Sequence, residues 1–196
     1  MRDDNMVIAA LGDSNPGAWD NRMSFTSKRP AMSEPSQTPE LVEHLASTLR
    51  QRGILLATAE SCTGGLVAAA CTELAGSSDW FERGFVTYSN AAKTELLGVA
   101  PELIAAHGAV SEAVARAMAQ GALARSCAQV SLAVTGVAGP GGGSAYKPVG
   151  MVCFGWNLGG QISTETHQFT GDRAAVRARS VAHALHGLLA RMAAAN

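Results

Sequence analysis

The sequence predicts an α/β protein: a three-layer α/β/α sandwich with a mixed, mostly parallel sheet. Three observations carry that expectation. Short apolar runs of strand length alternate with alanine- and leucine-rich segments of helical period. Glycine, proline or serine stands at nearly every junction between them. The last two strand-like runs flank a short turn around Leu158, Gly159 and Gly160, which reads as a hairpin and makes the sheet mixed.

The elements follow in order. Thr38, Pro39 and Glu40 supply an N-cap, a proline at the first helical position and an early acid. Leu41, Val42, Leu45, Ala46 and Leu49 then fall on one face, and Gly53 ends that helix. A strand is expected over 54–58 and a helix from about 64 to 75, closed by Gly76. Residues 82–88 read as the second strand, with Phe85 and Val86 at its centre. Ser89 caps a short helix ending at Gly98, Pro101 opens another that ends near Gly108, and Ser111 caps a longer one over about 112–126. Residues 130–134 form the third strand, followed by a glycine-rich loop over 136–144. Residues 149–156 and 161–169 make the hairpin, and a last helix runs from about 172 to 191.

Before Thr38 the grammar is absent. Residues 1–37 are rich in Asn, Asp, Ser, Pro, Gly and Met, with one short apolar patch at 7–11. They read as a disordered or poorly ordered leader, with Met32 as a candidate start. The folded domain is expected over 38–196.

The chain of 196 residues is long enough for one well-filled core. Its net charge is −1, and no Lys/Arg cluster forms a stripe, which disfavours nucleic-acid binding. No apolar run reaches the ~18 residues that a membrane span needs. Four cysteines show no Cys-x-x-Cys spacing. Cys71, Cys127 and Cys153 read as small buried hydrophobes, and a reducing cytoplasm fits best.

Three polar loops stand where strands pass into helices, the usual place for a ligand in such a sheet. In the first, Ser61 stands at a strand-to-helix turn followed by Gly64 and Gly65. It is either a nucleophile facing the positive end of a helix or simply that helix's N-cap. In the second, Ser89 and Lys93 lie four apart on one helix face with Tyr88 at the strand end beside them. Lys93 is a general base if burial removes its proton, and otherwise a solvated helix residue. The third runs from Thr135 through Gly136, Gly139, Gly142 and Gly143 to Ser144. It matches neither the Walker pattern nor a helix-opening Gly-x-Gly-x-x-Gly, and reads as a phosphate or ribose cradle or as a flexible connection.

Other residues offer less. His183 and His186 lie three apart on the last helix, but no carboxylate or cysteine set completes a metal site in sequence, and His107 and His167 stand alone. No metal or cofactor is expected. A Ser-His-Asp triad finds no support. Trp80 and Phe81 read as core, and Arg173, Arg177 and Arg179 as a solvated helix face with a lesser claim to a phosphate contact.

Two runs now match a known pattern. One is Ala59-Glu60-Ser61-Cys62-Thr63-Gly64-Gly65; the other begins Gly76-Ser77-Ser78-Asp79-Trp80-Phe81 and continues to Thr87-Tyr88-Ser89-Asn90-x-x-Lys93. With His107-Gly108-Ala109-Val110-Ser111, Thr135-Gly136-x-Ala138-Gly139-Pro140-x-Gly142-Gly143 and Lys147-Pro148-Val149-Gly150, they resemble the CinA C-terminal domain family over about 38–192. The resemblance implies a metal-independent serine amidohydrolase that converts nicotinamide mononucleotide and water to nicotinate mononucleotide and ammonia, in pyridine-nucleotide salvage. It implies the α/β/α fold and a homo-oligomer. The family pattern puts the nucleophile at Ser61 and the base at Lys93, with Tyr88 assisting. The expected substrate contacts are Thr63, Gly64 and Gly65 around the oxyanion, Asn90, and Thr135, Gly139, Gly142, Gly143 and Ser144 around ribose and phosphate. Residues 1–37 match nothing in the pattern, and activities tied to the separate N-terminal domain of longer members are not carried over. The family's name links it to competence and DNA damage, but the composition gives no reason to expect DNA contact.

Two other functions remain open on sequence: a non-catalytic nucleotide-binding module of the same fold, and a serine amidase for another small carboxamide. An intact Ser61/Tyr88/Lys93 set favours catalysis, and the glycine loop favours a phosphorylated substrate.

Overall fold

A computed structural model describes residues 38–195; the expected leader, Met32 included, lies outside the described residues. Five strands form one sheet in the order β2-β1-β3-β4-β5. They are β1 (Leu56–Glu60), β2 (Phe81–Val86), β3 (Val130–Gly136), β4 (Met151–Leu158) and β5 (Gln161–Gln168). β1 pairs in parallel with both β2 and β3. β4 pairs antiparallel with β3 and with β5, so four of the five strands point one way. The sheet is the expected mixed one.

Six helices cover it: α1 (Thr38–Arg52), α2 (Leu66–Glu73), α3 (Asn90–Leu97), α4 (Pro101–His107), α5 (Glu112–Ala124) and α6 (Arg173–Ala194). On one face, buried residues of α1, α2 and α6 pack on Leu132, Phe154 and Trp156. Trp156 fixes α6 there by donating from its indole N–H to the Ala184 carbonyl at 2.9 Å. On the other face, α3, α4 and α5 lie over Ala57, Ala59 and Ala133. The small residues on that face let helix backbone come close to the sheet: a Cβ at Gly155 would stand 2.5 Å from the Ala115 carbonyl oxygen of α5.

The β4–β5 turn is a short hairpin because Gly159 and Gly160 both take positive φ, 56° and 99°. Two boundaries differ from expectation for physical reasons. α2 starts at Leu66, because Gly64 and Gly65 adopt φ of 60° and 94° and turn the chain first. β2 ends at Val86, because the carbonyls of Thr87 and Tyr88 leave the ladder to bind a lysine. Cys127 is exposed in the α5–β3 connection, contrary to its reading as a buried hydrophobe; Cys71 and Cys153 are buried as expected. Among the described residues, no helix is long and apolar enough to cross a membrane.

Candidate active site

The chain leaves β1 for β2 through α2 on one face of the sheet. It returns across β1 to β3 through α3, α4 and α5 on the other. Crossovers that depart on opposite faces leave a crevice at the carboxyl ends of the strands between them. Ser61, Thr87 and Thr135 all lie at that end of β1, β2 and β3. The Ser61 N–H donates to the Val134 carbonyl at 2.9 Å, and the Thr87 N–H to the Glu60 carbonyl at 2.7 Å. The turn that carries Ser61 is thereby tied to both neighbouring strands.

Ser61 does not cap α2. The N-cap is Gly65, and the free N–H groups of the helix are satisfied by the side chain of the preceding residue, Glu60. Its Oε2 accepts from the Gly65 and Val67 N–H groups at 3.0 Å each, and its Oε1 from Ala68 at 2.8 Å. Glu60 is fully buried, so this arrangement fixes the turn from within. From outside, Arg177 of α6 donates to the carbonyls of Cys62 (3.2 Å) and Thr63 (2.8 Å). Arg177 therefore clamps the turn and is not part of a solvated face. The Ser61 hydroxyl is left free for another partner.

That partner is Lys93. α3 is capped by Ser89, whose Oγ accepts from the Ala92 N–H at 3.0 Å, and this places Lys93 on the inward face of its first turn. Lys93 is 1% exposed. Its Nζ lies 3.0 Å from Ser61 Oγ and donates to the Thr87 carbonyl at 2.8 Å and the Tyr88 carbonyl at 3.4 Å. Burial holds the Lys93 ammonium below the usual lysine range; a Cys62 thiolate would act in the opposite sense. Burial also pushes the Cys62 thiol up to about 12, so that opposing charge is absent near neutral pH. Cys62 is 6% exposed and belongs to the core under the turn.

Ser61, Lys93, Tyr88, Cys62, Thr135 and Arg173 line one cavity of about 200 Å³. The Tyr88 side chain is exposed, and its bond to Lys93 runs through the backbone carbonyl, not the phenol. Thr135 is buried and donates from its hydroxyl to the Ala109 carbonyl at 2.8 Å. Arg173 reaches the glycine loop, with Nη1 on the Gly139 carbonyl at 2.8 Å.

Other expected contacts lie elsewhere or are already engaged. The Gly64 N–H donates to the Ser61 carbonyl at 3.1 Å, and the Gly65 N–H to Glu60, so neither is free for an oxyanion. The Thr63 hydroxyl is buried without a partner among the described residues. Asn90 faces a separate depression between α3 and α4. Gly142, Gly143 and Ser144 are exposed and outside the lining of the cavity. Ser144 instead closes a local turn, its backbone exchanging hydrogen bonds with Lys147 at 2.9 and 3.2 Å. Sequence reasoning missed the parts played by Glu60 and Arg177; the only signal for Glu60 was its place beside Ser61.

Known proteins are similar to this chain in sequence and in fold. The model of the CinA C-terminal domain matches residues 38–192. The chain is 50% identical over 154 residues to nicotinamide-nucleotide amidohydrolase PncC of Escherichia coli strain K12, covering 78% of this chain and 93% of that one. It is 50% identical over 181 residues to a CinA-like protein of Mycolicibacterium gilvum, covering 92% of this chain but only 43% of that longer protein. It likewise spans 37% of a longer relative from Symbiobacterium thermophilum, at 54% identity. Its fold superposes on the crystal structure of competence/damage inducible protein CihA from Agrobacterium tumefaciens with a TM-score of 0.78 and 46% identity, over 81% of this chain and 98% of that one. With the family's pattern matched across nearly all of residues 38–195, the chain belongs to the CinA C-terminal domain family.

Proposed function

We propose that this protein is a serine amidohydrolase that converts nicotinamide mononucleotide to nicotinate mononucleotide and ammonia. The observation that carries the mechanism is the 3.0 Å contact between Lys93 Nζ and Ser61 Oγ at the wall of the pocket. The similarity to PncC of Escherichia coli supports the choice of substrate.

Two backbone carbonyls hold two of the Lys93 N–H groups, so the third tetrahedral position of the nitrogen faces Ser61. In the neutral amine that position is a lone pair, which accepts the serine proton as Oγ attacks the carboxamide carbon. Among the described residues the N–H groups of Cys62 and Thr63 have no backbone acceptor, and they are the donors offered to the developing oxyanion. Lys93 then returns its proton to the departing ammonia, and water releases the nicotinoyl ester. Tyr88, at the mouth of the pocket, stacks on the pyridine ring. Arg173 and the loop from Thr135 past Gly139 meet ribose and phosphate. A homo-oligomer and a cytoplasmic location complete the proposal.

Ammonia release from the purified full chain with nicotinamide mononucleotide, beside Ser61→Ala and Lys93→Ala, is the test. Wild type is expected to release ammonia and both variants to lose it. Nucleotide binding without release would make the protein a binding module. A preference for free nicotinamide would remove Arg173 and the glycine loop from the site.

A further inference from the structure

A second cluster lies toward the opposite edge of the sheet. Glu165 and His167 are two apart on β5, hence on one face of it, and pair across β4 with Phe154 and Val152 of the core under α6. His183 of α6 comes down onto them. One donor atom from each of the three lies within 4.8 Å of the others, and His183 Nε2 is 3.1 Å from Glu165 Oε1. Donor atoms around a tetrahedral zinc ion stand about 3.4 Å apart, as bonds of about 2.1 Å require. The cluster needs roughly an ångström of side-chain rotation to close.

We infer that Glu165, His167 and His183 form a binding site for one divalent transition-metal ion of the zinc class. Two imidazoles and a single carboxylate suit such an ion and not calcium or magnesium, which take oxygen donors. The rings are already oriented: His183 packs on Phe154 at 4.6 Å between centroids, and His167 on Phe169 at 4.4 Å. Arg191 Nη2 stands 3.5 Å from Glu165 Oε2, steering the other oxygen, Oε1, toward the histidines. His167 is exposed, which gives the ion a way in, and three protein donors leave the fourth position to water. Acid competes with the ion, because protonated imidazoles cannot ligate it. The ion joins edge strand β5 to α6, the helix whose Arg177 holds the nucleophile turn.

The test uses untagged full-length chain in a Cys127→Ser background, which removes the exposed thiol as a competing ligand. After chelator treatment it is titrated with Zn²⁺ by calorimetry. The expected result is one ion per chain, with affinity falling at least about tenfold in His167→Gln and in His183→Gln. Co²⁺ gives a visible tetrahedral absorption that His167→Gln abolishes. Zn²⁺ raises the melting temperature of the parent and leaves that of His167→Gln unchanged. His167 is exposed, so its variant folds even if His183→Gln does not. Absence of stoichiometric uptake, or uptake equal in parent and His167→Gln, overturns the site.

Discussion

Lys93 Nζ lies 3.0 Å from Ser61 Oγ across 32 residues of sequence, and both groups are almost wholly removed from water. A buried lysine without a carboxylate partner is costly as an ammonium. Here its bonds go to two carbonyls and a hydroxyl. The neutral amine satisfies all three contacts as well, donating twice and accepting once. The fold therefore disfavours the protonated lysine and directs the lone pair of the neutral one at the serine.

Lys93→Met separates this chemistry from folding. Methionine fills a similar volume without the charge, so turnover is expected to fall roughly 10²- to 10⁴-fold. The melting temperature should hold or rise, because replacing a buried charge with an apolar group is often neutral or stabilising. Ammonia release and calorimetric melting on the same preparation check both halves. Undiminished turnover would remove Lys93 from the mechanism.

The lowered pKa of Lys93 sets two pH dependences. At pH values below it the folded enzyme carries the inactive ammonium, so kcat/KM should rise with pH through a limb that lies below the usual lysine range. For stability, the unfolded lysine titrates near 10.5, the ordinary lysine value, and the folded one lower. Between the two, the unfolded chain binds the extra proton and stability rises with pH. Below the folded pKa the full burial penalty applies. Wild type should thus gain on Lys93→Met as pH climbs through that window, read by urea unfolding at a series of pH values.

Element order and the hairpin were legible because they rest on short-range signals, hydrophobic period and turn glycines. Ser61 and Lys93 stood out singly, but spacing set Lys93 beside Ser89, and only the family resemblance joined it to Ser61, 32 residues away. What escaped depends on distance. The bonds of Arg177 to Cys62 and Thr63 span 115 and 114 residues, and Glu165 meets His183 only because α6 folds back over β5. Spacing alone left the histidines without a carboxylate. Gly64 and Gly65 read as oxyanion donors because a helix was expected to begin there. Their positive φ and the oxygens of Glu60 give those N–H groups another use.

Glu60→Gln is expected to cost roughly 1–3 kcal/mol in stability, since one acceptor oxygen becomes a buried donor facing helix N–H groups. Because the same bonds fix the turn that carries Ser61, kcat should fall with little change in KM. Urea unfolding and steady-state kinetics read the two effects. An unchanged kcat would confine Glu60 to holding α2.

Gly155→Ala tests the close approach of α5 to the sheet, at a position outside the pocket lining. The new methyl would stand 2.5 Å from the Ala115 carbonyl oxygen and 3.3 Å from the Arg116 nitrogen, both backbone atoms that no rotamer change can move. α5 must lift from β4, loosening Val114, Met118 and Ala122 in the core beneath it. Overpacking of this kind typically costs about 1–3 kcal/mol, and a backbone neighbour puts the loss at the upper end. Alanine at Gly159 meets nothing within 4 Å, but there φ is +56°, so its smaller loss comes from strain alone. Urea unfolding of the two variants should therefore rank Gly155→Ala as clearly the less stable. The reverse order would mean that α5 rides higher on the sheet than its contact with Gly155 implies.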